Sequence, residues 1–416
     1  MYISLAHLYF NEDYPEVLTE FKRLCNADTS FYNLSAISDD IVANDYPVSR
    51  DLYNKYTGNL RRAVDAVFNG DDADTDLALR LKAGVTRFGA FKAFNATQDI
   101  RAKGRTGAAT AADDAENVEK RYNSFQAAEY ATAASRARTA KQFAEYMTAD
   151  RMRLFPNLRW LPSRSVEVRP EHRIFWNRVW PKTSEFWQHN QPGNLWNCKC
   201  DMEETDDPTD IPEKLNPKYS SASPGLKGNP AVTGKIFSDD CSYISKLKDT
   251  DRQYVESYVK PVLDRCEEYI KYKNDAEYKV DTFRWNKDGG FVAQHITRIA
   301  NDTTSKNEKI KYDKEIRMCD ELADMGFAII YKKDVPGEFD IFIDGHPADL
   351  KQTKSHNNIG NYAKHAIEDQ GAEYAVFCFE VKNAKILQFV KNEWTLHKRK
   401  CLYYFLGENI LYKNWI

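Results

Sequence analysis

The chain is short of net charge, of long apolar runs and of cysteine. Its 59 basic and 62 acidic residues leave a net charge of −3 over 416 residues. No global field therefore draws it onto nucleic acid or a membrane surface, and any nucleic-acid contact must be local. No apolar stretch is long enough to cross a bilayer. The eight cysteines are scattered apart from Cys198-Lys199-Cys200. In a chain this large that is no disulfide framework, and a reducing compartment is expected. Met1-Tyr2-Ile3-Ser4-Leu5-Ala6-His7 lacks a basic leader and soon meets Asn11-Glu12-Asp13. A secretory signal is not expected there. There is no internal repeat.

What is present is the composition of a soluble globular protein, 42% hydrophobic and 29% charged. The length exceeds one ordinary core, so two or three domains are expected. Residues up to about 155 read as helical. Pro15 opens a short amphipathic helix, Ser49 caps a longer one, and 77–94 continues the pattern. Residues 104–112 are small and polar, as in a turn. An Ala-rich stretch over 113–147 has strong helix propensity. Residues 156–205 are rich in Trp, Pro, Arg and Asn and show little periodicity. Residues 206–245 read as an extended, packed loop or linker. Residues 249–273 form one more helix, expected to bend or break near Pro261. From about 278 the pattern is mixed α and β. The expected division is 1–205, a linker with a connecting helix over 206–277, and 278–416.

The last part carries the chemistry. Ile341-Phe342-Ile343 reads as a strand, Asp344-Gly345 as a two-residue hairpin turn, and the segment to Lys351 as the return strand. This register brings Asp340 near Asp349. Asp349 and Lys351, two apart, share a face. Two carboxylates and one ammonium thus converge at a sheet edge. Carboxylates with waters suit Mg²⁺, and a metal beside a lysine suits attack of water on a phosphodiester. Upstream, a helix over 312–325 places Glu315, Cys319 and Leu322 on one apolar stripe. A carboxylate there must be paired or bind metal. Residues 327–331 read as a strand, 374–379 as a buried strand and 385–390 as another. Lys354, His356, Lys364, His365 and Gln370 are candidates for a substrate groove. The run His397-Lys398-Arg399-Lys400 is a local basic patch.

Helix with Glu, strand, hairpin with Asp and Asp-x-Lys, helix, strand: this order resembles the PD-(D/E)xK nuclease superfamily. More narrowly it is similar to the C-terminal toxin nucleases of contact-dependent inhibition. The resemblance covers roughly 278–416. It implies an α/β nuclease domain in which Asp340 and Asp349 hold Mg²⁺ (or Mn²⁺) and Lys351 positions or activates water. Glu315 matches the helical Glu. Phe339 stands where the family's Pro precedes the first Asp, and the second acid is Asp rather than the commoner Glu. The implied substrate is tRNA or DNA, and the implied partner an immunity protein.

A second resemblance covers roughly 45–245. An Ala-rich helix precedes Arg169-Pro170-Glu171-His172, Phe186-Trp187, Pro192-Gly193, Asn197-Cys198-Lys199-Cys200 and then Gly228-Asn229-Pro230. This order resembles the Mu F-like family of phage minor head proteins. Ser165 stands where many members have Asp, and Asn177 where many have Gly. The resemblance implies a mostly helical, structural domain, assembly with portal or capsid proteins, and residence in the virion head and the host cytoplasm. His172, Cys198 and Cys200 are also the right donors for Zn²⁺. A fourth would have to be His189 or Asp201. The opposing expectation is a hydrogen-bonded His172 with cysteines packed in a small core.

The combined expectation is a multidomain phage protein, with a mostly α head domain and a C-terminal metal-dependent nuclease. Two alternatives compete. The chain is a structural or injected head protein with an inactive C-terminal module, or its C-terminal part is a metal-independent RNase using His356 or His365.

Overall fold

In the computed structural model the described residues are 41, 47–104, 117–118, 121–164, 170–196, 198–211 and 222–415. The chain divides into two compact units, Met1–Val259 and Lys260–Ile416. The helix expected at Pro15 and the turn at 105–112 lie outside the described residues.

In the first unit three helices carry most of the core: α1 (Arg50–Asp65), α2 (Asp76–Gly104) and α3 (Gln126–Tyr146). The Ser49 hydroxyl caps α1 by accepting from the Leu52 amide at 3.4 Å. Tyr56 and Leu60 of α1 and Val85, Phe88 and Phe91 of α2 are buried. Lys92 of α2 and Glu129 of α3 are both buried and pair at 2.5 Å. Tyr243 also donates to Glu129, at 3.0 Å. Breaking such a pair strands a charge in a dry core, which costs about 3–5 kcal/mol.

Residues 156–205, which lack periodicity, contain a small antiparallel sheet. Its strands are β1 (Asn157–Leu161), β2 (Val179–Pro181) and β3 (Asp201–Thr205), in the order β2-β1-β3. Only β1 alternates, burying Leu158 and Trp160 between half-buried neighbours, and aromatic stacking holds the strands together. Trp160, Phe175, Trp180, Phe186 and Trp187 form one buried cluster with Leu158, Cys200 and Met202. Trp180 and Phe186 stack at 4.0 Å. Asn177 has φ +59°, the left-handed region where Asn is the best-tolerated residue after Gly.

Helix α4 (Asp249–Lys273) runs unbroken through Pro261. The break expected there does not occur, because one missing amide is offset by the bonds on either side. The division between the units falls inside α4.

The second unit is built on an eight-stranded mixed sheet, ordered β11-β10-β9-β8-β7-β6-β5-β4. The strands are β4 (Tyr278–Val280), β5 (Phe291–His295), β6 (Ala328–Tyr331), β7 (Ile341–Ile343), β8 (His346–Gln352), β9 (Tyr374–Phe379), β10 (Cys401–Phe405) and β11 (Tyr412–Lys413). Helix α5 (Lys306–Asp324) opens on a capping box of Ser305 and Glu308. Its Met318, Cys319 and Leu322 pack on one face of the sheet with Val376 and Cys378 of β9. Ala375, Phe377 and Phe379 of β9 alternate to the other face. There they pack under α6 (Ile359–Lys364) and α7 (Ala384–His397).

The strand expected over 385–390 is helix α7. The Asn383 side chain caps it by accepting from the Ile386 amide at 2.9 Å. Ile386, Val390 and Glu393 are its buried residues, so its period is helical. The strands that follow are β10 and β11, beyond the basic run.

The β7–β8 hairpin turns on Asp344 (φ +47°) and Gly345 (φ +80°), the two successive positive φ values of a type I′ turn. Asp344 Oδ1 and Oδ2 receive Arg265 of α4 at 2.9 and 2.7 Å, and Oδ1 also takes the Ala328 amide at 2.9 Å. Asp344→Ala removes a two-pronged charged bond and is expected to destabilise the hairpin by about 2 kcal/mol. Hydrogen exchange of the β6–β8 amides, about thirtyfold faster than in the parent chain, would show it, with Asp344→Asn intermediate.

Candidate active site

The register of the hairpin builds the site. Ile343 pairs with His346, Phe342 with Pro347 and Ile341 with Ala348. One step further along the same ladder places Asp340 opposite Asp349. Ala348 and Leu350 join the cluster under α5. Asp349 and Lys351 therefore look to the opposite face, where they pair with Ala375 and Phe377 of β9.

Asp349 is wholly buried. Lys351 Nζ lies in an ion pair against its Oδ2, yet neither Asp349 oxygen receives a well-directed hydrogen bond. Burial and then contact with the Asp340 carboxyl push the Asp349 carboxyl up to about 8, against the weaker pull of Lys351. A second negative charge beside the first is disfavoured in a buried place, so one of the two carboxyls holds its proton. Asp340 is itself nearly buried and accepts the Leu350 amide at 3.4 Å.

Glu315 is also buried, and its carboxyl is raised by burial and then by the charge of Asp340. It comes from α5, on the other face of the sheet. Tyr331 donates a short hydrogen bond to it, and Lys311 lies 3.8 Å away. The three carboxylates do not gather into one cluster. Arg298 links them instead, 3.8 Å from Glu315 and 3.4 Å from Asp340. Its guanidinium is buried, reaches Asp334 at 3.1 Å and lies 4.8 Å over the Tyr331 ring. Sequence reasoning missed Arg298. It sits on a three-residue turn, Ile296–Arg298, where a lone arginine gives no periodic signal.

Gln370 joins the site. Its Oε1 lies 3.5 Å from Lys351 Nζ and 2.9 Å from His365 Nδ1, and its Nε2 donates to the Glu338 carbonyl at 3.2 Å. Lys354 pairs with Glu380 at 2.9 Å. His356 packs edge-on against Phe389. Lys364 is exposed on α6.

The donors suit a hard divalent cation. Asp340 and Asp349 offer oxygen, and Asp349 is short of hydrogen-bond donors. Against Asp340, Asp349 and Glu315 stand the buried Arg298 and the partly buried Lys351, which leaves room for added positive charge.

In the first unit, His172, Cys198 and Cys200 come together with all their ligand atoms within 4.8 Å of one another. Among the described residues no other three His, Cys, Asp or Glu side chains do so. This group can hold a metal. Neither His189 nor Asp201 joins it: His189 faces Glu185 at 3.5 Å, and Asp201 lies near Arg164 and Arg138. Every cysteine among the described residues is a free thiol. No described helix is long and apolar enough to cross a membrane.

No protein-family profile and no curated protein matches the chain. A solved structure, the CdiA-CT/CdiI toxin and immunity complex from Burkholderia pseudomallei, is similar at 15% identity. The match has a TM-score of 0.25 and covers 29% of this chain and 96% of that one. A likeness of that size bears on neither activity nor substrate.

The raised Asp349 carboxyl has a thermodynamic sign. Between its ordinary range near pH 4 and about 8, the metal-free folded protein keeps a proton on Asp349 that the unfolded chain has lost. Stability then falls as pH rises through that window. Thermal unfolding in EDTA is expected to show this fall, Mg²⁺ to offset it most at pH 8, and Asp349→Asn to flatten it. An unchanged slope in Asp349→Asn would contradict it.

Proposed function

We propose that the second unit is a divalent-metal-dependent phosphodiesterase of the nuclease type, acting on tRNA or DNA. The observation that supports it is Asp349, buried beside Asp340, short of directed hydrogen bonds and flanked by Lys351. Asp340 and Asp349 would hold Mg²⁺ or Mn²⁺, which when bound supplies Lewis acidity toward a phosphoryl oxygen and an acidified water. Lys351 supplies the charge that meets the phosphate as negative charge builds on it, and it orients the attacking water. Gln370 holds the Lys351 amine by its Oε1, and the Glu338 carbonyl holds Gln370 in turn. Glu315 acts at one remove: with Tyr331 it fixes Arg298, and Arg298 fixes Asp340. A nuclease of this kind made inside a bacterial cell must be held off the cell's own nucleic acid. An immunity protein or packaging would do so.

The first unit is proposed to be a minor head domain of the Mu F-like kind, assembling with portal or capsid proteins in the virion head. The ordered motifs between Arg169 and Pro230 support this reading. So does the left-handed Asn177, at a position where many family members carry Gly.

The full chain with Mg²⁺ is expected to cut tRNA or DNA, and EDTA to stop it. Asp349→Ala and Lys351→Ala should each lower the cleavage rate by at least about a hundredfold, with the circular dichroism spectrum unchanged. Cleavage that persists in EDTA would favour a metal-independent RNase. No cleavage of either substrate with Mg²⁺ or Mn²⁺ would leave an inactive module on a structural protein. Consistent absence of the chain from purified capsids would remove the head assignment.

A further inference from the structure

The nuclease reading makes no use of the most concentrated set of soft ligands in the molecule. We infer that His172, Cys198 and Cys200 form a zinc site of three protein ligands, which pins the turn carrying His172 to the start of β3.

The geometry is convergent. His172 sits in the turn Pro170–Phe175, and the two cysteines lie just ahead of β3. Both sulfurs approach the same ring nitrogen, His172 Nδ1, at 3.3 Å from Cys198 and 3.6 Å from Cys200. A hydrogen bond needs one sulfur at that nitrogen. Two sulfurs and one nitrogen around a common point is the arrangement a tetrahedral ion organises. His172 Nε2 is buried without a hydrogen-bond partner. The polar contacts of this ring are therefore those at Nδ1, where both sulfurs lie.

The Cys200 amide donates to Cys198 Sγ at 3.5 Å. The indole N–H groups of Trp160 and Trp176 are buried without a hydrogen-bond partner. Arg136 of α3 is fully buried. Its partners are neutral oxygens: the carbonyls of Ile236 (2.8 Å), Gly193 (3.3 Å), Leu226 (2.9 Å) and Gly228 (3.0 Å), and the Asn194 side chain (2.5 Å). No carboxylate pairs with it among the described residues. A buried cation without a carboxylate is costly, and these five neutral acceptors offset part of that cost.

Thiolate and imidazole donors select a soft or borderline ion over Mg²⁺ or Ca²⁺. Zinc fits a Cys₂His set without demanding redox chemistry, and each thiol proton leaves to solvent as the ion binds. His189 and Asp201, held by other partners, are not ligands. Cys198 is partly buried, while His172 and Cys200 are buried.

The test uses the full chain, purified under reducing conditions without chelator. Elemental analysis is expected to find about one zinc per chain. Titration of the metal-stripped chain with Co²⁺ should give thiolate charge-transfer absorption and tetrahedral ligand-field bands. Cys198→Ser and Cys200→Ser should each lose the zinc and most of the charge-transfer band. Asp201→Asn and His189→Gln should keep both. Metal-stripped protein should unfold at a lower temperature and alter its Trp fluorescence, since Trp160 packs edge-on on His172 at 5.0 Å. Wild-type chain with no zinc and no Co²⁺ charge-transfer band would overturn the proposal, even if the serine variants fail to fold. So would a Cys198–Cys200 disulfide under reducing conditions, iron or copper in place of zinc, or loss of metal in Asp201→Asn.

Discussion

Two carboxyl groups side by side in a place with no water constrain the whole second unit. A two-residue turn puts them there. Asp344 and Gly345 permit one register, that register sets Asp340 across from Asp349, and the alternation of β8 turns Asp349 inward with Lys351. A slip of one residue would carry Asp349 and Lys351 to the α5 face and bury Leu350 wrongly. The aliphatic packing of Ile341, Ile343, Ala348 and Leu350 thus protects the position of the charged groups. The pair stays together because those four residues and Arg265 hold the turn, and because Asp349 keeps its proton.

The same balance recurs elsewhere. Arg298 is buried among Glu315, Asp334 and Asp340, and Arg136 among carbonyl oxygens near Cys198. Lys92 is buried against Glu129. In each case a guanidinium or ammonium is kept from water by aromatic or aliphatic neighbours and must find its countercharge locally. At the hairpin the acids outnumber the bases. At the cysteines a cation lacks a carboxylate. At the hairpin, an excess of acid is the imbalance that a cation on the proposed site would offset.

Much of this was legible in the order of residues. The Ser49 cap, the Asp344-Gly345 turn, the stripe of Glu315, Cys319 and Leu322, and the strand at 374–379 all appear as read. Short-range rules decide them: a hydroxyl before a helix, a positive φ at a turn, a period of four. Residues 385–390 were misread as a strand, since a few apolar residues in six fit either period. The Asn383 cap was the overlooked signal. The sheet within 156–205 gives little signal in the sequence because only β1 alternates and its partners β2 and β3 are short and distant, joined to it by aromatic packing.

By itself the sequence determined which residues could do chemistry, because turn geometry and two-residue alternation act within about a dozen positions of one another. It settled that Asp340, Asp349 and Lys351 belong to one ribbon. It also offered His172 and the two cysteines as candidate metal donors. Only the tertiary structure decided that Glu315 stands on the opposite face behind Arg298, that both sulfurs share one histidine nitrogen, and that His189 and Asp201 turn elsewhere. Those facts depend on how helices and strands far apart in the chain pack together, and no local pattern records that packing.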